Sequence, residues 1–341
     1  MSRLVADTPA LLMSECLDAL GDARHPLIVG EGSGRLAAAM REAGLRPTTW
    51  LRCLAAASDE HPRPWPSEGL FDAACVRLPK AKDALAFALH AAASRLPPGA
   101  PMALFGANAE GIRSAARHLD AVTEQVTTLA ARRHARFFVG KRKAVIAGHK
   151  HRLEDWRRVA EVEIAGSLRP WVSYPGTFAR GGIDDGTAFL LRHLSPLPGS
   201  PRVLDFAAGS GVIAATVATL FPTASIDMIE ADTLALAAAV ENVPGARAML
   251  GDSLAAADTR YDLIVSNPPV HEGIAESRVV LDRLIAGAPR LLLTGGRLVI
   301  VVQRRIAVMD ALTAAFGNAR LIGESGRFSV AAAVAEAPRR R

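Results

Sequence analysis

The chain has 341 residues, half of them hydrophobic and 22% charged, with a formal net charge of +6. That length exceeds one ordinary core and fits two domains, and the composition is globular rather than disordered. No apolar run reaches the roughly 18 residues of a membrane span, and three cysteines (Cys16, Cys53, Cys75) without a CxxC pair point to a reduced, cytoplasmic protein with no zinc cluster.

The N-terminal stretch "MSRLVADTPALLMSECLDAL" carries acids within its apolar run and reads as an amphipathic helix, not a signal peptide. In "PLIVGEGSGRLAAAMREAG" (26–44) a strand turns through glycines into a helix, and "FDAACVRLPK" (71–80) and "LPPGAPMALFGAN" (96–108) read as further strands. Between Arg132 and Arg158 lie ten Lys/Arg and two acids, a net of +8 in a chain of +6, so the remainder is mildly acidic. One basic band on such a body fits a phosphate-backbone partner, the bland reading being a solvated linker between domains. Trp156, Trp171, Tyr174 and Phe178 follow; each could stack a base, and aromatics so placed are as often core residues.

The second half alternates strand and helix: "RVLDFAAG", "SGVIAATVATLF", "SIDMIEA", "DTLALAAAVENV", "ARAMLGD", "YDLIVSNPP", "ESRVVLDRLIAGAPRLL", "GRLVIVVQ" and a terminal strand "GRFSVAAAVA". Strands separated by helices of this length imply right-handed crossovers and a parallel sheet covered on both faces, with the ligand beyond the carboxyl ends of the strands. The first half repeats the plan. Arg77 falls opposite Asn267 and Leu78 opposite Pro268. Gly32 to Arg77 spans 45 residues where Gly209 to Asn267 spans 58, a deficit of most of one strand–helix unit. The fold class is therefore α/β, two tandem Rossmann-like domains of which the N-terminal copy is degenerate. The expected division is 1–163 and 164–341, with a basic linker at about 132–158.

In "LDFAAGSGVIA" (204–214) Gly209 and Gly211 let a ligand lie against backbone at a helix start, which alone is no more than a tight turn. Three acids sharpen it. Asp205, before the glycines, would repel a pyrophosphate and attract an amine or sulfonium. Glu230, about twenty residues on, sits where an acid accepts ribose hydroxyls. Asp252 ends the third strand, where it can accept an adenine amino proton. Without a P-loop lysine this set describes S-adenosylmethionine, the alternative being a Rossmann-type nucleotide site.

"SNPPVHEG" (266–273) ends a buried strand on an amide held by two prolines. An exocyclic amine on a nucleobase is a poor nucleophile. Two fixed acceptors, the Asn267 side-chain oxygen and the Pro268 carbonyl, can hold it toward sp³ and stabilise charge developing during attack. His271 next to the turn can contact base or phosphate, or cap the following element.

These motifs resemble the class I methyltransferases of guanine N2 in ribosomal RNA, the small-subunit RsmC type and its large-subunit relative RlmG. "NPPVHEG", "PGTFARGGIDDGT" (175–187), "PKAKDAL" and "GANAEGIRSA" carry the likeness over nearly the whole chain. The resemblance implies cofactor contacts from Asp205, Ala207, Gly209, Gly211, Glu230, Asp252, Ser253 and Asn267, with Asp184 and Thr187 closing over the cofactor. It places Asn267, Pro268 and Pro269 on the target amine. Val270, His271, Arg180, Arg77, Lys141, Arg142 and Lys143 would face the RNA, the last four from an N-terminal domain that recognises rather than catalyses. The expected partner is ribosomal RNA or a ribosomal subunit, with no metal and no membrane, and the expected state is a monomer. Two positions depart from the family pattern: Val270 stands where a phenylalanine would stack the flipped base, and the loop reads AAGSG. The competing expectations are methylation of adenine N6 or of a protein glutamine amide, and a non-catalytic RNA-binding protein with a decayed site.

Overall fold

The structure, a computed structural model, describes residues 8–54, 61–269 and 275–337. It divides into two compact units, Met1–Arg157 and Arg158–Arg341.

The first unit opens with α1 (Thr8–Ser14), then β1 (Pro26–Val29), α2 (Arg35–Glu42) and β2 (Thr48–Trp50). It continues through β3 (Ala73–Arg77), α3 (Lys82–Ala93), β4 (Pro101–Ala107), α4 (Ile112–Val122), β5 (Thr123–Arg132) and β6 (Ala135–Arg142). The sheet order is β2-β1-β3-β4-β6-β5, parallel up to β4 and antiparallel beyond. Residues 132–142 of the basic band thus belong to a hairpin of this sheet rather than to a linker. Ala135, Phe137 and Phe138 are buried there, and that apolar face holds the segment in the core.

The second unit begins with a hairpin, β7 (Arg158–Ile164) and β8 (Ser167–Ser173). Its two-residue turn has φ of 50° at Ala165 and 82° at Gly166, the left-handed pair that matches strand twist. Then come α5 (Asp185–Leu191), β9 (Arg202–Phe206), α6 (Val212–Leu220), β10 (Ser225–Glu230), α7 (Thr233–Asn242), β11 (Arg247–Leu250) and β12 (Tyr261–Ser266). The chain closes with α8 (Ala275–Leu291), β13 (Leu292–Gln303), α9 (Met309–Phe316), β14 (Arg320–Glu324) and β15 (Phe328–Val334). The seven strands lie in the order β11-β10-β9-β12-β13-β15-β14. The sheet is parallel through β13, but β15 runs antiparallel to both neighbours. Only Ser325–Arg327 joins β14 to β15, and so short a link permits nothing else.

The apolar runs are continuous because both faces are covered. Val203, Leu263 and Val265 pack under α5, α6 and the hairpin, whereas Leu204, Ile264 and Leu298 pack under α8 and α9.

The two units are one plan written twice, and a repeated hydrogen bond fixes the correspondence. His25 N donates to Asp72 Oδ1 at 2.9 Å, and Arg202 N donates to Asp262 Oδ2 at 2.8 Å. From there Val29 pairs with Val76 as Phe206 pairs with Ser266, which makes Arg77 the counterpart of Asn267 and Ile28 that of Asp205. Val29 also pairs with Trp50 as Phe206 pairs with Ile229, so Leu51 corresponds to Glu230. Among the described residues the first unit has no counterpart of α7 and β11, the strand–helix unit that the 13-residue deficit removes.

Candidate active site

The site is built where β9, β10 and β12 end. After Phe206 the chain turns with φ of 58° at Ala207, 57° at Gly209 and 89° at Gly211, and α6 begins at Val212. Gly211 is required twice over: besides its left-handed φ, a Cβ there would lie 2.8 Å from Val243 Cγ2. Ala207 takes the conformation that Gly30 takes in the first unit (φ 74°), at the steric cost of a methyl group.

Three anchors hold this loop, and none is evident from the motif itself. Gly209 N donates to Glu230 Oε2 at 2.8 Å, and Ala231 N and Asp232 N donate to Glu230 Oε1, each at 2.9 Å. Trp171 Nε1 donates to Ser210 Oγ at 3.0 Å from the hairpin. Asn242 Nδ2, from the end of α7, reaches both Ser210 O (3.0 Å) and Val172 O (2.9 Å). The hairpin that precedes the sheet therefore helps fix the loop.

Asp205 lies beneath the loop at 0% exposure. Its Oδ2 accepts from Ala214 N at 3.0 Å, while Oδ1 has no partner among the described residues. Burial pushes its carboxyl up to about 8; the Ala214 N–H opposes that rise and the charge of Glu230 adds to it. Burial also raises Glu230, against the pull of its backbone donors. Gly251 N donates to Glu230 O at 3.0 Å, which brings the end of β11 beside that acid. The following Asp252 is exposed and Ser253 partly so, and neither lines the pocket described next.

Across the loop stands Asn267. Its Nδ2 donates to Asp184 Oδ2 and to Thr187 Oγ1, both at 2.9 Å. Asp184 is the N-cap of α5: its carboxylate accepts from Gly186 N at 2.8 Å and from Thr187 Oγ1 at 2.5 Å. Pro268 is buried and Pro269 exposed. Where the first unit has Leu78, its N–H donates to Phe105 O at 2.8 Å; Pro268 has no such donor, and the strand's bonding stops there. Asn267, Asp184, Thr187, Ala207, Gly209 and Phe178 line one pocket.

Phe178 settles which aromatic faces that pocket. Trp156, Trp171 and Tyr174 are core residues at 6%, 1% and 6% exposure, but Phe178 is 57% exposed. The turn that presents it is held by Thr177 Oγ1 donating to Tyr174 O at 2.8 Å and by a left-handed Ala179. Val270, His271 and the Arg180 side chain lie outside the described residues.

The first unit's version of the site is filled by its own side chains. Glu31, 1% exposed, accepts from Ser33 N at 2.6 Å and Leu36 N at 3.3 Å inside its glycine loop. Arg77 makes a two-pronged pair with Glu110, both contacts at 2.7 Å. Of the other basic residues, Arg142 donates to the carbonyls of Ala93, Lys143 and Ala144, and Lys143 to that of Asp120. Lys141 is exposed and makes no ion pair among the described residues.

The second unit's residues fit S-adenosylmethionine. A buried Asp205 oxygen without a partner suits an N–H donor of a ligand, and Glu230 at the second strand's end suits a ribose diol. Left-handed backbone at Gly209 leaves open space where a side chain would stand.

Comparison with known proteins agrees. Residues 170–332 match the family described as "Methyltransferase small domain", and residues 13–158 match "Methyltransferase small domain N-terminal". The "Ribosomal RNA small subunit methyltransferase C" of Pseudomonas putida (strain W619) is 33% identical over 267 residues, 76% of this chain and 78% of the relative. That of Hahella chejuensis is 31% identical over 275 residues, 79% of each chain. Among solved structures, the T. thermophilus 16S rRNA N2 G1207 methyltransferase (RsmC), in complex with AdoMet and guanosine, shares the fold. Its TM-score is 0.84 at 22% identity, covering 97% of this chain and 93% of that one. With matched families across both units and relatives of this identity and coverage, the chain belongs to the S-adenosylmethionine-dependent ribosomal RNA small subunit methyltransferase C family.

Proposed function

We propose that the chain methylates the exocyclic N2 amine of a guanine in 16S ribosomal RNA, acting in the cytoplasm on RNA or a ribosomal subunit. The observation that carries this reading is the Asn267 amide, held by two hydrogen bonds beside the glycine loop. The names of its curated relatives support it, as does the guanosine bound in the T. thermophilus RsmC.

When bound, the cofactor supplies a methyl group activated by a sulfonium. Asp205, Ala207, Gly209, Gly211, Glu230, Asp252 and Ser253 would hold it at the ends of β9 to β11. Asn267 Oδ1 and the Pro268 carbonyl accept from the two N2 hydrogens and stabilise the charge that grows on nitrogen. The proline pair fixes both acceptors in advance. The proton leaves to water after transfer, so no side chain in the site has to act as a base.

Phe178 is the platform for the extruded base. It supplies the stacking surface that Val270 lacks. The first unit recognises RNA rather than cofactor, through exposed cations such as Lys141 rather than through Arg77, which Glu110 already neutralises.

The test is transfer of labelled methyl to small and to large ribosomal subunits from a strain lacking this protein. The reading predicts label in the small subunit alone, lost with Asn267→Ala. Transfer to a protein glutamine or to the large subunit would replace it.

A further inference from the structure

The family resemblance puts Asp184 and Thr187 against the cofactor, yet their polar atoms are directed at Asn267. Asp184 Oδ1 receives Gly186 N at 2.8 Å. Its Oδ2 receives Thr187 N at 3.3 Å, Thr187 Oγ1 at 2.5 Å and Asn267 Nδ2 at 2.9 Å. The Thr187 hydroxyl proton goes to Asp184, so its lone pairs are free to accept from Asn267 Nδ2 at 2.9 Å.

This arrangement decides which way the amide points. A carboxylate only accepts, and Thr187 has used its proton, so the edge of Asn267 facing α5 must be the NH₂ edge. The reversed amide would put Oδ1 against Asp184 Oδ2, two acceptors at hydrogen-bond distance, and turn two donors toward the target amine. In the observed orientation Oδ1 is the atom left to face the pocket, and it accepts no hydrogen bond from the described residues. The Asp184 charge behind Nδ2 also polarises the amide and makes Oδ1 a stronger acceptor.

The geometry points to Asp184 and Thr187 as positioning residues for methyl transfer, which act by fixing the Asn267 amide in its acceptor-forward orientation. This inference rests on the reading of Asn267 given above. It also explains the spacing of "DDGT": the first acid caps α5, and the threonine one turn later closes the triangle from the same end of the helix.

The experiment uses the full chain, undermethylated small subunits and calorimetric S-adenosylmethionine binding. Asp184→Asn keeps the helix cap, since Asn and Asp cap equally well, but lets Asn267 present either edge. It should lower kcat about ten- to a hundredfold with cofactor Kd and the subunit KM within about threefold. Thr187→Val should behave alike, and Thr187→Ser should restore activity. The decisive arm is a swap. Asn267→Asp alone sets a carboxylate against Asp184 and should lose more than about a hundredfold; adding Asp184→Asn restores a donor–acceptor pair and should recover at least about tenfold. A residue that merely shapes α5 would give no such recovery.

If Asp184→Asn and Thr187→Val stay within twofold of wild type while Asn267→Ala is inactive, the inference falls and the reading of Asn267 stands. Raised cofactor Kd at unchanged kcat would make Asp184 a cofactor ligand and overturn the inference as well. Full activity of Asn267→Ala would overturn the reading beneath it.

Discussion

Asn267→Ala removes an acceptor that matters most as charge develops on the target nitrogen. Turnover should fall about a hundred- to a thousandfold, the usual loss for one preorganised electrostatic contact, and calorimetry should find cofactor binding unchanged. Asp205 makes a different prediction. Its folded carboxyl is raised to about 8, above its unfolded value, because burial penalises the charge. The folded protein therefore holds a proton that the unfolded chain releases, so this residue's stabilising share is full at acid pH and is lost as pH rises from about 4 to 8. Asp205→Asn keeps an acceptor for Ala214 N and should flatten that slope, which thermal unfolding at pH 5 and pH 8 would measure. It should weaken cofactor binding as well. The placement of Asn267, Gly209, Gly211 and Glu230 at strand ends was legible in the sequence, because each is a residue type that stands out where an apolar run stops. The roles of Asp184, Thr187, Trp171 and Asn242 were not. Their contacts join residues 32 to 83 positions apart, and no local spacing encodes such pairs.

At the scale of elements, two of the turns that line the pocket can each be tested alone. In the glycine turn, Gly211→Ala forces a methyl against Val243 at a φ of 89°. It should cost about 1–3 kcal/mol, as left-handed strain does at such positions, seen as a fall in unfolding temperature. In the 174–182 turn, Phe178→Ala should leave stability nearly unchanged because the ring is 57% exposed. Base–aromatic stacking of roughly 1–3 kcal/mol predicts about a ten- to hundredfold rise in KM for the subunit, with S-adenosylmethionine affinity intact. An unchanged KM would remove Phe178 from the base site. Strands β1, β3, β4, β9, β10, β12 and β13 were legible as apolar runs because both faces are covered; β2, β5 and β6 of the first unit were not. The β7–β8 hairpin, α5, α9 and β14 were not: they are short, and much of the hairpin is exposed, so its pattern is set by the partners it meets. The basic band misled in the same way, since Arg136, Lys141 and Arg142 are among the less buried positions of β6 while buried Phe137 and Phe138 fix it in the sheet.

For the whole molecule, the duplicated plan predicts one cofactor site, not two. In the first unit Ile28 stands for Asp205, Leu51 for Glu230 and Arg77 for Asn267, and Glu31 occupies the loop itself. Calorimetry on the full chain should give one S-adenosylmethionine per molecule, and a second site would contradict the structural correspondence. The repeat was readable because three short stretches recur in the same order, and the 13-residue deficit located what is missing. The self-filling of the first unit was not readable, since it depends on Arg77 meeting Glu110 across 33 residues.

The most direct measurement is nucleoside analysis of 16S RNA after labelled methyl transfer to undermethylated small subunits. The label should appear in N2-methylguanosine with the wild-type protein and be absent with Asn267→Ala. Label in N6-methyladenosine, or equal labelling by both proteins, would contradict the assignment of this site to guanine N2.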